Sequence, residues 1–333
     1  MSETIFLTGA SGRIGGRVAA GLLERGYKVR ALIHSNRGNL PDGSGLVTLE
    51  GDIVTRKGLA EGVEGADFVI HLAAAWDMFP PARYEATNDQ LFESVLRGTY
   101  NVLEAARSVR GLRALVYAST DAVYATGPRK FEAPITEDTE LQPSRFYALC
   151  KIACETLCRQ YGRLYGLPWI VVRICWSLEP AELLRVFGYD FWEGGMSEED
   201  RARLKPILGG EKGVFAPLNE DGSSGVDHIA DPDDIAAGIV QAVVNHDKGL
   251  GGTFNLAGPA PFRYLEVIEK LAADLGVPWG SARIPGIHPY ELRNDRAIRT
   301  LGYAPAWTME RMLEKAAAAR RTAAGKNPAG GTT

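Results

Sequence analysis

The stretch 8-TGASGRIGGRV-18 decides the fold, because three spaced glycines here separate a short apolar run from an amphipathic helical pattern. Gly9 would let the chain reverse, Gly12 would let backbone approach a phosphate, and Gly15 would let the helix pack on the strand. The helix N-terminus would then offer unpaired N–H groups and a positive dipole end to an anion. The stretch predicts a dinucleotide-binding turn, and the alternative is a glycine-rich turn without a ligand.

Predicted strands and helices alternate along the first half of the chain and return more loosely in the second half. Apolar patterns predict strands at 4–8, 28–33, 68–72, 114–118, 169–174 and 253–256. Helical periodicity predicts helices at 14–25, 56–62, 84–109, 145–165, 181–186, 197–204, 232–245, 264–275 and 308–321. We therefore predict an α/β fold, a Rossmann-type doubly wound parallel sheet with a smaller mixed α/β substrate lobe at its carboxyl edge.

The predicted domain boundaries follow from the place where this alternation loosens. Residues 1–176 would form the dinucleotide-binding domain, with later returns at about 226–257. Residues 177–225 and 258–322 would form the substrate-binding lobe, because open parallel sheets bind ligands at their carboxyl edge. The stretch 323–333 is predicted to be a disordered tail.

Composition limits the classes of function. Of the 333 residues, 45% are hydrophobic and 23% are charged, and the formal net charge is −4. An acidic chain without a basic run argues against nucleic-acid binding. No apolar run approaches the roughly 20 residues needed to cross a bilayer, and no signal-peptide pattern opens the chain. We expect a cytoplasmic protein that acts on a small molecule and binds neither nucleic acid nor a membrane.

Three of the four cysteines recur every fourth residue, at Cys150, Cys154 and Cys158. On a helix the outer two would lie roughly 12 Å apart, since the rise is about 1.5 Å per residue. Zinc–sulfur bonds of about 2.3 Å do not span that distance. We therefore predict no metal site and interpret the three as one buried helix face, with Cys175 in a core strand.

Several further motifs follow the glycine turn in order, at 51-GDI-53, 71-HLAA-74, 119-STDAVY-124, 147-YALCK-151 and 295-DRAIRTLGYAP-305. Each motif is weak alone, but the set is specific in combination and order. Over about residues 4–320 the chain resembles the extended short-chain dehydrogenases/reductases, the NAD-dependent epimerase/dehydratase family. The resemblance implies a nicotinamide cofactor.

The resemblance assigns the catalytic roles to Thr120, Tyr147 and Lys151. Residues four apart on a helix share a face, and an ammonium beside a phenol lowers the pKa of the phenol. Tyr147 would move the proton, Lys151 would hold the cofactor ribose and tune Tyr147, and Thr120 would hydrogen-bond the reacting oxygen. Ser119 is interpreted as structural. The alternative for Tyr147 and Lys151 is an ordinary exposed pair on a surface helix.

Cofactor contacts are also implied by the resemblance. They comprise Gly9, Ser11, Gly12, Arg13, Ile14 and Gly15 at the turn, His34 and Arg37 after the second strand, Asp52 and Ile53 beside the adenine, Ala73 in the groove, and Tyr147 with Lys151. His71, which ends a predicted strand, is interpreted as a structural histidine rather than a catalytic one.

The choice of cofactor depends on the end of the second strand, where NAD-binding enzymes of this fold place a carboxylate on the ribose hydroxyls. Ile33 stands there, and the next carboxylate is Asp42. Arg37, and secondarily Arg13, could pair with a 2′-phosphate. We therefore predict NADP over NAD; the alternative is that both arginines are solvated loop residues.

The substrate side is less determined. Sugar-nucleotide dehydratases of the family carry two acids after the threonine, whereas Asp121 is followed here by Ala122, which disfavours dehydration. Asp121 could cap the following turn or contact substrate. No arginine precedes the acidic helix start at 231–234, where sugar-nucleotide enzymes grip a pyrophosphate. The remaining pocket candidates are aromatic or apolar, and the alternative for each is ordinary packing: Trp76, Met78, Phe79, Trp176, Phe187, Tyr189, Phe191 and Trp192.

The leading function hypothesis is an NAD(P)-dependent dehydrogenase or reductase of a secondary alcohol or ketone. The first alternative is a sugar-nucleotide epimerase that works through a transient keto intermediate. The second is a non-enzymatic cofactor-binding sensor, which would generally lack the tyrosine–lysine pair. The predicted helix at 145–165 resembles the family's dimer-forming element, so a homodimer is expected.

Overall fold

The computed structural model describes residues 2–75, 86–124, 131 and 134–325. These residues form eleven strands, namely β1 (Thr4–Thr8), β2 (Lys28–Ile33), β3 (Leu46–Glu50), β4 (Phe68–His71), β5 (Ala114–Thr120), β6 (Trp169–Ile174), β7 (Val214–Leu218), β8 (Val226–Asp227), β9 (Thr253–Leu256), β10 (Phe262–Arg263) and β11 (Trp279–Arg283).

The same residues form thirteen α-helices, namely α1 (Arg13–Leu23), α2 (Leu59–Val63), α3 (Asn88–Leu91), α4 (Gly98–Arg107), α5 (Phe146–Tyr165), α6 (Pro180–Val186), α7 (Tyr189–Trp192), α8 (Glu198–Leu208), α9 (Pro232–Val244), α10 (His246–Gly249), α11 (Tyr264–Leu275), α12 (Asp295–Leu301) and α13 (Met309–Gly325). A π-helical segment (Phe92–Arg97) joins α3 to α4, and a 3₁₀ turn (Asp121–Tyr124) follows β5.

Seven strands form one parallel sheet in the order β3-β2-β1-β4-β5-β6-β9. The chain winds outward from β1 in both directions, so the strand order reverses between β1 and β4. Ligands bind outside the carboxyl ends of the strands at such a reversal. The predicted Rossmann-type, doubly wound α/β fold is confirmed.

Both faces of the sheet are apolar because helices cover both. In β1, Ile5 and Leu7 pack into one hydrophobic cluster with residues of α1 and α9, and Phe6 packs into a second cluster with residues of α4 and α5. Strands buried on both faces consist almost wholly of apolar residues instead of alternating with polar ones. This pattern fixes β1 at the centre of the sheet.

Two small sheets lie outside the large one. β8 pairs antiparallel with β10, and β7 pairs parallel with β11. They pack with α6, α8, α11 and α13 around two further apolar clusters. Within the stretch 226–257, which was predicted to return to the dinucleotide-binding domain, β9 joins the large sheet and α9 packs against it, whereas β8 pairs with β10.

Most predicted elements agree with the structure to within a few residues, and the differences have local causes. β3 was not predicted, because its residues are half-buried or exposed at the sheet edge and give no apolar run. The helix predicted at 84–109 begins in the described residues at Asn88, where Thr87 and Gln90 form a reciprocal capping box. Residues 84–85 and the tail residues 326–333 lie outside the described part of the chain.

No helix within the described ranges is both long enough and apolar enough to cross a membrane.

Candidate active site

A cavity of about 650 Å³ lies at the carboxyl ends of β1, β4, β5 and β6. The glycine turn lines one part of it, and residues of the small lobe line the opposite part. Twelve of the residues predicted for the site meet there: Gly9, Gly12, Arg13, Ile14, Gly15, Thr120, Asp121, Tyr147, Lys151, Trp176, Phe191 and Trp192. The cavity is therefore one continuous space between the predicted cofactor turn and the predicted catalytic residues.

The glycine turn has the geometry that a dinucleotide needs. Gly9 has φ +73°, and a Cβ there would lie 2.6 Å from the backbone nitrogen of Ala73. A Cβ on Gly15 would lie 2.1 Å from the carbonyl oxygen of Gly9, so α1 packs directly on the turn. Gly12 is exposed, and a Cβ there would lie 3.2 Å from the carbonyl oxygen of Gly9. Its N–H donates to that oxygen at 3.1 Å, so the N–H groups that follow it at the start of α1 are the ones that would face a phosphate.

Lys151 lies on the face of α5 that packs against β5. It is 3% exposed, and its Nζ donates a hydrogen bond of 2.7 Å to the carbonyl oxygen of Ala118. The same ammonium lies 5.7 Å from the ring centre of Tyr147. Burial lowers the pKa of Lys151 to about 8. The ammonium of Lys151 therefore stands beside the Tyr147 ring at the edge of the cavity.

Thr120 is the last residue of β5, two residues beyond the predicted end of this strand. Its Oγ1 accepts a hydrogen bond of 3.2 Å from the Ala122 N–H and donates one of 3.2 Å to Asp121 Oδ1. Thr120 is thus the side chain that caps the 3₁₀ turn. The interpretation of Asp121 as the cap is wrong, because its carboxylate points to other partners.

The Asp121 carboxylate accepts hydrogen bonds from Thr120, from the Tyr290 hydroxyl at 3.1 Å and from the Trp176 backbone N–H. It is 6% exposed. Burial raises its pKa to about 6, and the nearby carboxylate of Asp227 contributes in the same direction. A group with this pKa can hold or release a proton near neutrality.

A buried network beneath the cavity fixes the end of β5. Ser119 Oγ donates 2.6 Å to Glu155 Oε1, and Arg173 binds both carboxylate oxygens of Glu155 at 2.9 and 2.8 Å. Arg173 also donates to the Tyr124 hydroxyl and to the Glu137 carbonyl. These contacts join β5, α5 and β6 and support the structural interpretation of Ser119.

His71 has two hydroxyl partners, Thr8 Oγ1 at 2.7 Å and Thr99 Oγ1 at 3.1 Å. It is 1% exposed, and burial lowers its pKa to about 3. His71 is therefore a neutral residue that ties β4 to β1 and α4. The contacts agree with its interpretation as a structural histidine.

Six predicted cofactor residues do not line the cavity: Ser11, His34, Arg37, Asp52, Ile53 and Ala73. Asp52 accepts a hydrogen bond from the Val54 N–H. Arg37 is about half exposed and pairs with Asp42 at 3.2 Å. Arg13 lines the cavity and forms an ion pair with Glu182.

The structure separates the predicted aromatic residues into two groups. Trp176, Phe191 and Trp192 line the cavity, with the Trp176 and Phe191 rings 6.1 Å apart. Phe187 and Tyr189 are 0% and 1% exposed and pack in the core of the small lobe, so they do not line the pocket. Trp76, Met78 and Phe79 lie outside the described residues.

Several cavity residues were missed by sequence reasoning. They are Ser144, Arg145, Ser177, Asp227, Tyr264, Ile287, His288 and Tyr290. Asp227 lies just before the helix start at 231–234, where an arginine was expected in a sugar-nucleotide enzyme. An acid at this place could have indicated that Asp227 lies in the cavity. The other residues carry no motif of their own.

Comparisons with known proteins agree with this geometry. Residues 5–181 match the model of the NAD dependent epimerase/dehydratase family. UDP-glucuronate 4-epimerase 4 of Arabidopsis thaliana is 30% identical, covering 94% of this chain and 74% of that protein. L-arabinose 1-dehydrogenase (NAD(P)(+)) of Haloferax volcanii is 32% identical, covering 54% of this chain and 69% of that protein.

A solved structure also matches over nearly the whole chain. It is a short-chain dehydrogenase/reductase superfamily protein from Agrobacterium tumefaciens with bound NAD. The TM-score is 0.79 at 31% identity, covering 97% of this chain and 99% of that one.

Proposed function

The chain belongs to the NAD dependent epimerase/dehydratase family, and from this premise we propose that it transfers a hydride between a nicotinamide cofactor and a carbon bearing a hydroxyl or keto oxygen. The observation that carries the proposal is the continuous cavity from Gly9, at the turn, to Thr120 and Tyr147. A cofactor held at the turn and a substrate held at Thr120 would share one continuous space.

The residues present fit a dinucleotide. A side chain at Gly9 or Gly15 would collide with backbone, whereas Gly12 is exposed at the start of α1. We propose that this turn holds the pyrophosphate and that Lys151 holds the nicotinamide ribose. When bound, the nicotinamide supplies the hydride acceptor or donor.

The proton chemistry is assigned to three side chains. Tyr147 would hold or release the proton at its phenolic oxygen, because the ammonium of Lys151 lies 5.7 Å from its ring and favours the phenolate. Thr120 Oγ1 donates its hydrogen to Asp121, so it would accept a hydrogen bond from the substrate hydroxyl. General acid–base catalysis of this type contributes roughly 10² to 10⁴ in rate.

Net oxidation or reduction is favoured over epimerisation by the residues of the small lobe. The segment before α9 contributes Val226 and Asp227 to the cavity and no cation. A sugar nucleotide would bring a diphosphate to this side. The relative named as an arabinose dehydrogenase also favours net redox chemistry on a sugar that carries no nucleotide.

Epimerisation is the second candidate, because a UDP-glucuronate 4-epimerase aligns with 94% of this chain. Absorbance of the added cofactor separates the two functions. A dehydrogenase changes the absorbance of reduced nicotinamide in proportion to product, whereas an epimerase converts its substrate without net change.

The choice of cofactor is a further part of the proposal. The end of β2 carries Ile33 rather than an acid, and Arg37 forms an exposed ion pair with Asp42 and donates to the Pro41 carbonyl oxygen. An exposed ion pair contributes about 0–1 kcal/mol, so exchanging Asp42 for a 2′-phosphate costs little. We propose NADP, although the similar solved structure carries NAD.

The variant Tyr147→Phe tests the assignment of the proton-transfer group. We expect cofactor affinity and melting temperature to change little and turnover to fall at least about a hundredfold, since only the hydroxyl is removed. Tyr165→Phe is the matched control, because Tyr165 lies on the same helix and is 54% exposed. Turnover by Tyr147→Phe equal to that of the control would overturn the assignment.

A further inference from the structure

Two carboxylates line the substrate side of the cavity. Asp121 begins the 3₁₀ turn after β5, and Asp227 ends β8. A tyrosine from another element holds each one: Tyr290 donates to Asp121 at 3.1 Å, and Tyr264 donates to Asp227 at 3.0 Å. Because elements distant in sequence supply these pairs, the arrangement is built by the tertiary fold.

Neither carboxylate has a counter-ion within the described ranges. The ion pairs there include none between a lysine, arginine or histidine and either Asp121 or Asp227. Instead they accept neutral donors, which for Asp227 are Tyr264 and the His228 backbone N–H. Desolvation raises the pKa of each carboxyl to about 6. Among the described residues, the negative charges of Asp121 and Asp227 are therefore stabilised by hydrogen bonds from neutral donors and not by an ion pair.

A third polar group lies unpaired in the same wall. Ser177 is 4% exposed, lines the cavity, and its Oγ has no hydrogen-bond partner among the described residues. It directly follows Trp176, whose backbone N–H donates to Asp121. A buried hydroxyl without a partner costs free energy unless a ligand or water satisfies it. Ser177 is thus a further polar group of this wall that a ligand or a water would satisfy.

The cations that line the cavity are Arg13, Arg145 and Lys151, together with the titratable His288. Arg13 pairs with Glu182, and Lys151 is bound to the carbonyl of β5 on the cofactor side. Arg145 precedes α5 and lines the substrate side of the cavity, so an anionic substrate would be expected to depend on it. It therefore provides the competing explanation that an experiment must test.

We propose that Asp121, Asp227 and Ser177 form a substrate subsite that accepts the hydrogen-bond donors of an uncharged or cationic group, hydroxyl or ammonium, and excludes phosphate and carboxylate. This inference rests on the proposed function, which places the reacting carbon at Thr120 and Tyr147, and it adds the chemical class of the substrate. An ionised carboxylate has about four acceptor sites, so Asp121 with three donors and Asp227 with two keep room for hydroxyls or one ammonium. An anion in the same place would face two like charges in a poorly solvated site.

The test is equilibrium binding to the cofactor-loaded protein by calorimetry, so that it does not depend on turnover. The probes are D-glucose, D-glucosamine, D-glucuronate and D-glucose 6-phosphate, which share a ring and carry hydroxyl, ammonium, carboxylate or phosphate. UDP-glucuronate is the fifth probe. We expect the glucose or glucosamine complex to be at least about tenfold tighter than each anionic complex.

Variants assign the selectivity to residues. Asp227→Asn should reduce the ratio of glucosamine to glucuronate affinity at least about tenfold, and Asp121→Asn should act in the same direction. If glucosamine binds more tightly than glucose and both variants abolish this preference, the subsite binds the ammonium. If glucose and glucosamine bind with equal affinity, the subsite binds hydroxyls. Arg145→Gln should leave the ratio unchanged.

The proposal would be overturned if an anionic probe bound most tightly, or if Arg145→Gln abolished the binding of that probe. It would also be overturned if Asp227→Asn left the ratio of glucosamine to glucuronate affinity unchanged. So would the absence of binding by both glucose and glucosamine. Failure of the proposed function is a separate result, namely full turnover by Tyr147→Phe, because the binding assay requires no chemistry.

Discussion

The substitution Glu155→Gln removes the counter-ion of a fully buried guanidinium beneath the site. Glu155 and Arg173 have side-chain exposures of 0% and 3%, and two hydrogen bonds of 2.9 and 2.8 Å join them. Glutamine keeps the shape but replaces one accepting oxygen by an NH₂ group. One guanidinium donor then faces another donor, and the charge of Arg173 stays buried without compensation.

The expected cost follows from this burial. Breaking a buried ion pair by removing one partner costs about 3–5 kcal/mol, because the remaining charge is left desolvated. Unfolding entropy is roughly 2.1 cal/mol/K per residue, which for this chain is on the order of 0.7 kcal/mol/K. The melting temperature of Glu155→Gln should therefore fall by about 4–7 °C.

A calorimetric scan of Glu155→Gln beside Glu93→Gln measures this effect. Glu93 pairs with Arg97 one helical turn away, but both side chains are more than 40% exposed, and such pairs contribute only about 0.3–0.5 kcal/mol. The double variant Glu155→Leu, Arg173→Met should be less destabilised than Glu155→Gln, since it leaves no charge behind. Equal shifts in Glu155→Gln and Glu93→Gln, or a double variant at least as destabilised as Glu155→Gln, would refute the reasoning.

Three further predictions concern the cofactor and the site. Gly9→Ala should lose cofactor affinity and about 1–3 kcal/mol of stability, because its φ is +73° and its Cβ would strike backbone. Gly21→Ala, inside α1 with ordinary contacts, should be neutral or stabilising in the same denaturation assay. Similar losses of stability in the two variants would contradict this account. Arg37→Ala should weaken NADP at least about tenfold with little effect on NAD in fluorescence titrations, whereas a parent protein that binds NAD equally or more tightly would contradict the NADP preference. Because burial lowers the pKa of Lys151 to about 8, its ammonium is lost as pH rises through 8, and kcat/KM should fall above that pH. If the pH profile of Lys151→Met shows the same fall, the fall belongs to another group.

The sequence was sufficient for those parts of the site that local rules determine. The spacing of Gly9, Gly12 and Gly15 predicts a turn whose backbone geometry permits no side chain at the first and third positions. The four-residue interval between Tyr147 and Lys151 places both on one helix face, and the structure brings both to the cavity. Local spacing carries this information because each constraint lies within a few residues along the chain.

The substrate side could not be predicted in the same way. Asp121 and Tyr290 are 169 positions apart, and their hydrogen bond depends on how the loop before α12 packs over the sheet. From the sequence, Tyr264 is indistinguishable from an ordinary core aromatic at the start of α11. Its role at the cavity becomes visible through its hydrogen bond to Asp227. The meeting of these groups is a property of tertiary packing, for which a single sequence has no local pattern.

An epimerase and a dehydrogenase make different demands on this cavity. To re-reduce the opposite face of a keto intermediate, an epimerase must anchor one end of the substrate and let the reacting end turn. Here Thr120 donates a hydrogen bond to Asp121 at the reacting end, and a substrate hydroxyl bound to this pair would be held in place. An anchor for a distant diphosphate would need cations on the far wall, where Asp227 lies between Val226 and His228 and Tyr264 holds its carboxylate. A substrate fixed at its reacting end would give up its hydride once and leave, and this is the reason why we propose net redox chemistry rather than inversion.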